Sequence, residues 1–169
     1  MKNILVYALI AIVIWGCHKS NTLQAGCDIQ KVYALNAQKV TITNGIWGTV
    51  SSMEGNCMPM VPPATNSCTN CPVQRTIHIY PYTLITNATL INNLSSFFES
   101  FNAPLIAEAV ADEDGFYQLN LQAGTYSVAI VENGKLYANG LDGQGGLSPI
   151  TLVNGVQKLN LIMTYKAVF

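Results

Sequence analysis

From residue 39 onward, short segments of alternating apolar and polar residues constrain the fold most strongly. In residues 157–165, every second position is apolar or aromatic, at Leu159, Leu161, Met163 and Tyr165, which places these residues on one face of an extended strand. Pairs typical of tight β-hairpin turns separate several of these segments, at Asn44-Gly45, Asn133-Gly134 and Asn154-Gly155. About seven short strands at such spacing predict an all-β fold, an antiparallel β-sandwich over residues 39–169.

Two segments of this pattern carry specific expectations. Val40 and Ile42 alternate with polar residues, which predicts a first strand over residues 39–43. Within residues 84–104, four apolar residues have the i, i+3, i+4, i+7 spacing of an amphipathic helix: Leu94, Phe97, Phe98 and Phe101. A short helix is therefore the candidate structure for this insertion in the sandwich.

The first sixteen residues have the pattern of an export signal. One basic residue, Lys2, precedes an uncharged apolar run over residues 4–15, which is too short to span a bilayer and has the length of the apolar part of a signal peptide. The run ends in Ile14-Trp15-Gly16-Cys17, which resembles the lipobox of bacterial lipoproteins. That resemblance implies that residues 1–16 are removed and that Cys17 is acylated. The alternative is an ordinary secretory signal.

The resemblance also implies a location. Residues 17–38 are expected to be the lipidated cysteine and its tether, with the small polar residues 18–26 as a flexible part. His18-Lys19 follows the cysteine, where lipoproteins retained in the inner membrane carry an aspartate. We therefore expect a protein of the cell envelope, held by lipid in the outer membrane of a Gram-negative bacterium.

The charge balance excludes one class of partner. The chain has 8 Lys+Arg and 9 Asp+Glu, for a formal net charge of −1. Removal of residues 1–16 takes one basic residue, Lys2, and makes the net charge −2. This balance lacks the basic excess of a nucleic-acid-binding protein. The expected partners are the membrane, through the lipid anchor, and an unidentified envelope protein or carbohydrate ligand.

The cysteines give an independent indication of export. The chain has five, and acylation of Cys17 leaves an even four: Cys27, Cys57, Cys68 and Cys71. Four cysteines in an exported chain predict two disulfides, with Cys57 bonded to Cys68 or Cys71 and Cys27 bonded to the other. An alternative is a periplasmic thiol–disulfide or metal-handling function for the C-x-x-C motif at 68–71, with zinc ligands drawn from Cys57, Cys27 and His78.

Three segments together resemble the carboxypeptidase regulatory-like domain. Residues 46–50 (IWGTV) look like its opening G-x-V strand, residues 111–119 (ADEDGFYQL) like its D-x-x-G-x-[FY] hairpin, and residues 121–128 (LQAGTYSV) like its L-x-x-G-x-Y corner. The resemblance covers about residues 40–165 and implies a transthyretin-like, or prealbumin-like, sandwich. It also implies an accessory domain without chemistry of its own, so we expect no enzyme and no cofactor.

A glycine-rich segment is the predicted ligand site. Glycines over residues 140–146 permit a close approach to the backbone. Four side chains in and beside this segment offer stacking and hydrogen bonds to a sugar or a peptide: Tyr137, Asn139, Asp142 and Gln144. The alternative is a connecting loop that is rich in turn residues.

Other polar groups are not expected to be catalytic or to bind metal. Residues 112–114 (DED) are more typical of a solvated turn than of a calcium loop. His78 alternates with Ile77 and Ile79, which places it on the solvent face, and nothing indicates a hydrolytic triad. The sequence therefore indicates a lipid-anchored, non-enzymatic binding or structural module, with an adhesin or fibre-associated subunit as a further alternative.

Overall fold

The computed structural model describes residues 27–61, 67–91 and 94–169. These residues form a helix, a short 3-10 helix at Ile85–Asn87 and twelve strands: α1 (Ile29–Ala37), β1 (Gly45–Asn56), β2 (Thr69–Pro72), β3 (Thr76–Pro81), β4 (Ala88–Leu90), β5 (Phe97–Phe101), β6 (Ala107–Val110), β7 (Phe116–Leu119), β8 (Gly124–Glu132), β9 (Lys135–Tyr137), β10 (Pro149–Leu152), β11 (Val156–Lys158) and β12 (Leu161–Val168). The expected export signal over residues 1–16, Cys17 and residues 18–26 lie outside the described residues. Within these ranges, no helix is long and apolar enough to cross a membrane.

The strands form two sheets with the main core between them, which confirms the all-β sandwich. One sheet contains β1, β2, β7, β11 and β12, and the other has the order β4-β5-β9-β8-β3-β6 with β10 beside β8. The buried residues of the core come from both sheets: Ile46, Val50, Ile77, Ile79, Ala111, Tyr117, Leu121, Val128, Ile130, Tyr137, Ile150, Leu152 and Met163. Tyr117 donates its hydroxyl to the Leu159 carbonyl at 2.7 Å, and burial raises the pKa of this hydroxyl.

β1 is the centre of the five-stranded sheet and has neighbours in both directions. Along one side it lies parallel first to β11 and then to β12. Along the other side lie β7 and then β2, both antiparallel to it. The sandwich is therefore mostly antiparallel with one parallel seam. Alternation along a strand indicates which face a side chain occupies, but it does not indicate the direction of the neighbouring strand.

The interruption between β11 and β12 accounts for a glycine in β1. The Leu159 N–H donates to the Trp47 carbonyl at 2.7 Å, and the Asn160 side chain accepts the Thr49 N–H at 3.1 Å. These contacts bring the Leu159 carbonyl oxygen within 1.8 Å of the position that a Cβ would occupy at Gly48. Only glycine leaves room for this crossing.

The expected helix in the 84–104 insertion is wrong for the described residues, because Phe97–Phe101 forms a strand, β5. β5 pairs with β4, and the register shifts at Glu99, as in a β-bulge. The extra residue turns Phe98 and Phe101 to the same face of the strand, although they are three residues apart. The bulge therefore places two apolar residues three positions apart on one face of a strand, a spacing that is otherwise typical of a helix.

The insertion covers the outer face of the seven-stranded sheet. Phe98 and Phe101 belong to a second apolar cluster there: Tyr80, Phe98, Phe101, Ala129, Leu136, Ala138 and Leu147. Ala129 alternates along β8 with the main-core residues Val128 and Ile130, so the sheet has an apolar layer on each face. Leu94, which a helix would bury, is 47% exposed.

The part of the expected tether that the structure describes, residues 27–38, is instead a helix fastened to the sandwich. Cys27 forms a disulfide with Cys71, at the end of β2. Asp28 caps the helix by accepting the Lys31 N–H at 3.1 Å. A covalent bond and a cap therefore hold in place a helix that is too short to be stable alone.

The other end of α1 is held by polar contacts. Asn36 is buried and donates through Nδ2 to Thr49 Oγ1 at 2.9 Å and to the Asp114 carbonyl at 3.0 Å. Lys39, just beyond the helix, forms ion pairs of 2.8 Å with Asp112 and Asp114. Both ends of α1 are thus attached to the five-stranded sheet.

The predicted strand over residues 39–43 is not formed. Thr41 instead exchanges two hydrogen bonds with the Gln118 side chain, from its N–H to Oε1 at 2.9 Å and from Nε2 to its Oγ1 at 2.8 Å. A side-chain amide therefore takes the place of a neighbouring strand.

Candidate binding surfaces

The glycine-rich loop is a closed turn organised by Asp142. Its Oδ1 accepts the backbone N–H groups of Gln144 and Gly146 at 2.9 and 2.8 Å, and its Oδ2 accepts the Tyr82 hydroxyl at 2.8 Å. The Gly146 N–H and the Tyr82 hydroxyl lower the pKa of the Asp142 carboxyl, and the same contact raises the pKa of Tyr82. The carboxylate of Asp142 therefore holds the loop together, which is a structural task.

The loop also packs against the chain before the insertion. The Leu147 N–H donates to the Thr83 carbonyl at 2.9 Å, and the Ile85 N–H donates to the Gly145 carbonyl at 2.8 Å. A Cβ on Gly146 would lie 2.3 Å from the Tyr82 ring. The close approach that glycine allows is thus used by the protein's own tyrosine and not by an open cradle for a ligand.

The four predicted ligand residues do not converge. Tyr137 is only 2% exposed and belongs to the main core, so its expected role in stacking on a ligand is wrong. Asn139 is exposed and lies over β12, with Nδ2 3.3 Å from Thr164 Oγ1. Gln144 is exposed, and its N–H donates to Asp142. The four residues therefore fall into two pairs: Tyr137 and Asn139 both contact Thr164 Oγ1, whereas Asp142 and Gln144 are joined within the turn.

Sequence reasoning missed a group of aromatic rings beside β12. The ring centroids of Phe97, Tyr137 and Tyr165 lie 5.0 to 5.7 Å apart, in the tilted and edge-to-face arrangements that aromatic pairs prefer. Tyr137 accepts the Thr164 N–H at 2.9 Å. The signal that could have found this group is Tyr165, which continues the alternation of Leu159, Leu161 and Met163 in the sequence.

A buried carboxylate supports the exposed ring of Tyr165. Glu132 is 3% exposed; one of its oxygens accepts the Tyr165 hydroxyl at 2.7 Å, and the other accepts the Arg75 guanidinium. Burial alone would raise the pKa of Glu132, but the Arg75 and Tyr165 hydrogen bonds outweigh it and the pKa is lowered. Both oxygens are engaged, so Glu132 serves to position Tyr165 and not as a general base.

The exposed and half-buried residues of this region form one surface, which we call the β12 surface: Phe97, Asn139, Thr164, Tyr165 and Lys166. The Lys166 ammonium lies 5.7 Å from the centroid of the Tyr165 ring and pairs with Glu54 at 2.9 Å. A half-exposed ring, an amide, a hydroxyl and an ammonium lie side by side here. Such a mixture can stack on and hydrogen-bond to a polar ligand.

The cysteine prediction is confirmed, and the structure supplies the connectivity. Cys27 is bonded to Cys71, and Cys57 is bonded to Cys68. The two cysteines of the C-x-x-C motif are therefore bonded to different partners and not to each other. Among the described residues, no three His, Cys, Asp or Glu side chains are grouped so as to hold a metal ion.

The acidic turn is occupied by the protein's own groups. Asp112 Oδ1 accepts the N–H groups of Asp114 and Phe116, each at 2.9 Å. Its other oxygen binds Lys39. Burial would lower the pKa of Lys39, but the hydrogen bonds to Asp112 and Asp114 outweigh it and the pKa is raised. The turn thus fastens α1, a role that its spacing did not indicate.

His78 is half-buried on the face of β3 that carries Tyr80. Its Nδ1 lies 3.1 Å from the Tyr80 hydroxyl, and its Nε2 lies 3.6 Å from a Glu108 oxygen. Glu108 faces His78 across the pair of strands β3 and β6. These contacts include no serine or cysteine nucleophile: the Tyr80 contact lies within β3, and the Glu108 contact joins β3 to β6.

Comparison of the chain with protein-family models, curated proteins and solved structures finds no match. What the protein does is therefore inferred from its own residues and their geometry.

Proposed function

We propose that the protein is a lipid-anchored, non-enzymatic binding or structural module of the cell envelope. The observation that carries the proposal is the pairing of the cysteines: Cys27, Cys57, Cys68 and Cys71 are all in disulfides. Such pairing is typical of an oxidising compartment. It leaves Cys17, which ends the lipobox-like segment, as the one cysteine available for acylation.

The proposed domain type is the carboxypeptidase regulatory-like sandwich. The positions of two motif glycines support the resemblance of this chain to that domain. Gly115 has φ +71° in the turn after Asp112, a conformation that favours glycine, and Gly48 lies under the Leu159 carbonyl. At the third motif, the Tyr126 hydroxyl donates to the Gln122 carbonyl at 3.0 Å. Each motif residue thus has a structural task in a β-sandwich.

Lipidation is tested on the amino-terminal peptide of protein purified from membranes. Mass spectrometry is expected to find Cys17 as the first residue, with the mass of attached acyl chains. A Cys17→Ser variant should lose both the acyl mass and the membrane fraction, whereas the matched control Ser20→Ala should keep both. An unmodified Cys17 thiol, or cleavage elsewhere, would overturn the anchor.

The β12 surface is the proposed contact for a carbohydrate or an envelope protein. The test uses purified muropeptides and follows the backbone amide NMR signals of the protein. We expect chemical-shift changes at Asn139 and Thr164 when muropeptide is added. Asn139→Ala should weaken the apparent affinity roughly tenfold, which corresponds to about 1.4 kcal/mol. The matched control is Gln144→Ala, another exposed polar residue of the same predicted site. Equal effects of the two variants, or no shifts at all, would reject this ligand class.

An assembly subunit is the second candidate, because β6 is an open sheet edge. Among the described strands β6 pairs with β3 alone, and the exposed side chains Leu105, Ile106 and Val110 flank or belong to it. An apolar open edge can accept a strand from a partner. Sedimentation should then show self-association that Val110→Lys removes and Val153→Lys, at another exposed valine, leaves unchanged. A strictly monomeric parent protein would contradict this candidate.

A further inference from the structure

One end of the sandwich carries a cluster of exposed apolar side chains, which we call the apolar tip. Its members and their exposed fractions are Met58 (39%), Met60 (41%), Val61 (84%), Val168 (55%) and Phe169 (70%). They are neighbours in space because the Cys57 N–H donates to the Val168 carbonyl at 2.8 Å. The Asn56 amide also contacts the Met60 sulfur at 3.8 Å.

The apolar tip is rigidly attached and uncharged along its described side chains. Asn56 pairs with Val168 at the end of the β1–β12 ladder, and the Cys57–Cys68 disulfide closes the base of the loop. Residues 56–61 and 167–169 contain no Asp, Glu, Lys or Arg. A contiguous exposed apolar group of this kind marks a surface that contacts an apolar partner.

The direction of α1 indicates what that partner is. Cys27 is bonded to Cys71, which pairs with Ser52 in the half of β1 nearer the tip. The other end of the helix, at Asn36, contacts Thr49, farther from the tip. Cys27, to which the anchor segment is joined, therefore lies nearer the tip end of β1 than Asn36 does.

The reach of this chain is sufficient to bring tip and anchor together. Ser52 and Asn56 are four positions apart along an extended strand, which is about 13 Å. Cys17 and Cys27 are ten positions apart, and a chain segment of that length spans up to about 35 Å. An acyl group on Cys17 and the apolar tip can thus meet the same membrane surface.

We propose that the apolar tip rests in the interface of the bilayer that holds the lipid anchor, so that β1 points its Asn56 end at the membrane. The inference rests on the proposed lipidation of Cys17. Burial of a few apolar side chains is too weak to recruit a protein alone, but the anchor supplies a high effective concentration. Because the described side chains of the tip carry no charge and the processed chain is weakly acidic, the contact is mainly apolar and only weakly sensitive to salt.

The test places a tryptophan on each end of the lipidated protein. Val61→Trp marks the tip, and Val153→Trp is the matched control. Val153 is 69% exposed and lies close to Gly155, whose carbonyl accepts the N–H of Gly45 at the opposite end of β1. Both variants carry Trp47→Phe to remove the remaining native indole. The probe is a phosphatidylethanolamine–phosphatidylglycerol vesicle with brominated acyl chains, which quench tryptophan at short range.

In the membrane-bound protein we expect at least about twofold quenching of Trp at position 61, since interfacial groups lie at the level of the first acyl carbons. The control at position 153 should be unquenched, and high salt should change neither signal. A second tip variant, Met58→Trp, should behave like Val61→Trp and guards against a local folding defect.

Three results would overturn the inference and can be told apart. If the protein floats with the vesicles and neither end is quenched, the anchor stands and the tip does not touch the bilayer. Failure to float removes the lipid anchor and this inference together. A concentration-dependent spectral shift at position 61 without vesicles would mean that a second copy covers the tip.

Discussion

At the scale of single residues, Gly48 is where β1 passes close to the link between β11 and β12. A methyl group there would overlap the Leu159 carbonyl oxygen, at 1.8 Å. We expect Gly48→Ala to lower the free energy of unfolding by about 3 kcal/mol or more, because backbone and not a flexible side chain must move. Urea unfolding measures this change.

The matched control is Gly143→Ala, since a Cβ there would have nothing within 4 Å. It should change stability by less than about 0.5 kcal/mol. Similar decreases in unfolding free energy for Gly48→Ala and Gly143→Ala would contradict the close approach of the Leu159 carbonyl to Gly48.

Glu132 makes stability depend on pH in the acid range. Its pKa in the folded protein is below the ordinary 4.5, so its stabilising contribution is complete above that pH and is lost as pH falls through the folded pKa. Glu132→Gln should cost about 3 kcal/mol near neutral pH, because Arg75 loses its partner beside a buried site. The difference in unfolding free energy between the parent protein and Glu132→Gln should become smaller at acid pH.

Unfolding free energies measured between about pH 7 and pH 3 test this expectation. Glu99→Gln is the control, because the Glu99–Lys135 pair is exposed, and it should cost less than about 1 kcal/mol. If the loss of unfolding free energy caused by Glu132→Gln stays constant over this pH range, the proposed titration of Glu132 is contradicted.

At the scale of elements, β5 and the expected helix make opposite predictions about two side chains. The strand buries Phe98 and exposes Leu94, whereas a helix would bury both. Phe98→Ala should therefore cost about 3–5 kcal/mol, and Leu94→Ala less than about 1 kcal/mol. Thermal or urea unfolding of the two variants decides between the structures, and a large loss at Leu94 would favour the helix.

α1 illustrates why this element could not be predicted as part of the domain. Its buried residues are Val32 and Asn36, so it lacks the broad apolar stripe that is typical of a helix packed on a core. Its attachment comes from a disulfide, a buried amide and the Lys39 ion pairs. Each of these bonds joins residues far apart in the sequence, where local spacing carries no information.

At the scale of the whole molecule, the two disulfides close loops of different length. Sequence separations are 44 residues for Cys27–Cys71 and 11 residues for Cys57–Cys68. Loop entropy predicts losses of about 4 kcal/mol for the double variant Cys27→Ser/Cys71→Ser and about 3 kcal/mol for Cys57→Ser/Cys68→Ser.

Urea unfolding gives both losses, and amide exchange gives their location. Opening of the first disulfide should reduce protection in α1 before it affects β1, because Cys27 holds the start of that helix. Unchanged protection of α1 in the Cys27→Ser/Cys71→Ser variant would show that Asn36 and Lys39 suffice to hold it.

The sequence by itself determined the class of fold, because alternation and turn residues are local properties. Ile77 and Ile79 alternate into the core as their spacing requires, and Asn133-Gly134 adopts the positive φ angles of a tight turn. The number of cysteines likewise predicted two disulfides without reference to any structure.

Only the tertiary structure decided which surfaces are available for function. Asp142 and Tyr82 are 60 residues apart, and their bond converts a predicted ligand residue into the support of a loop. The parallel pairing of β12 with β1 brings Asn56 beside Val168 and so assembles the apolar tip, and the packing of Phe97 and Tyr137 against Tyr165 assembles the β12 surface. Spacing along a chain encodes the face on which a side chain lies, whereas partners across a sheet are chosen by long-range packing.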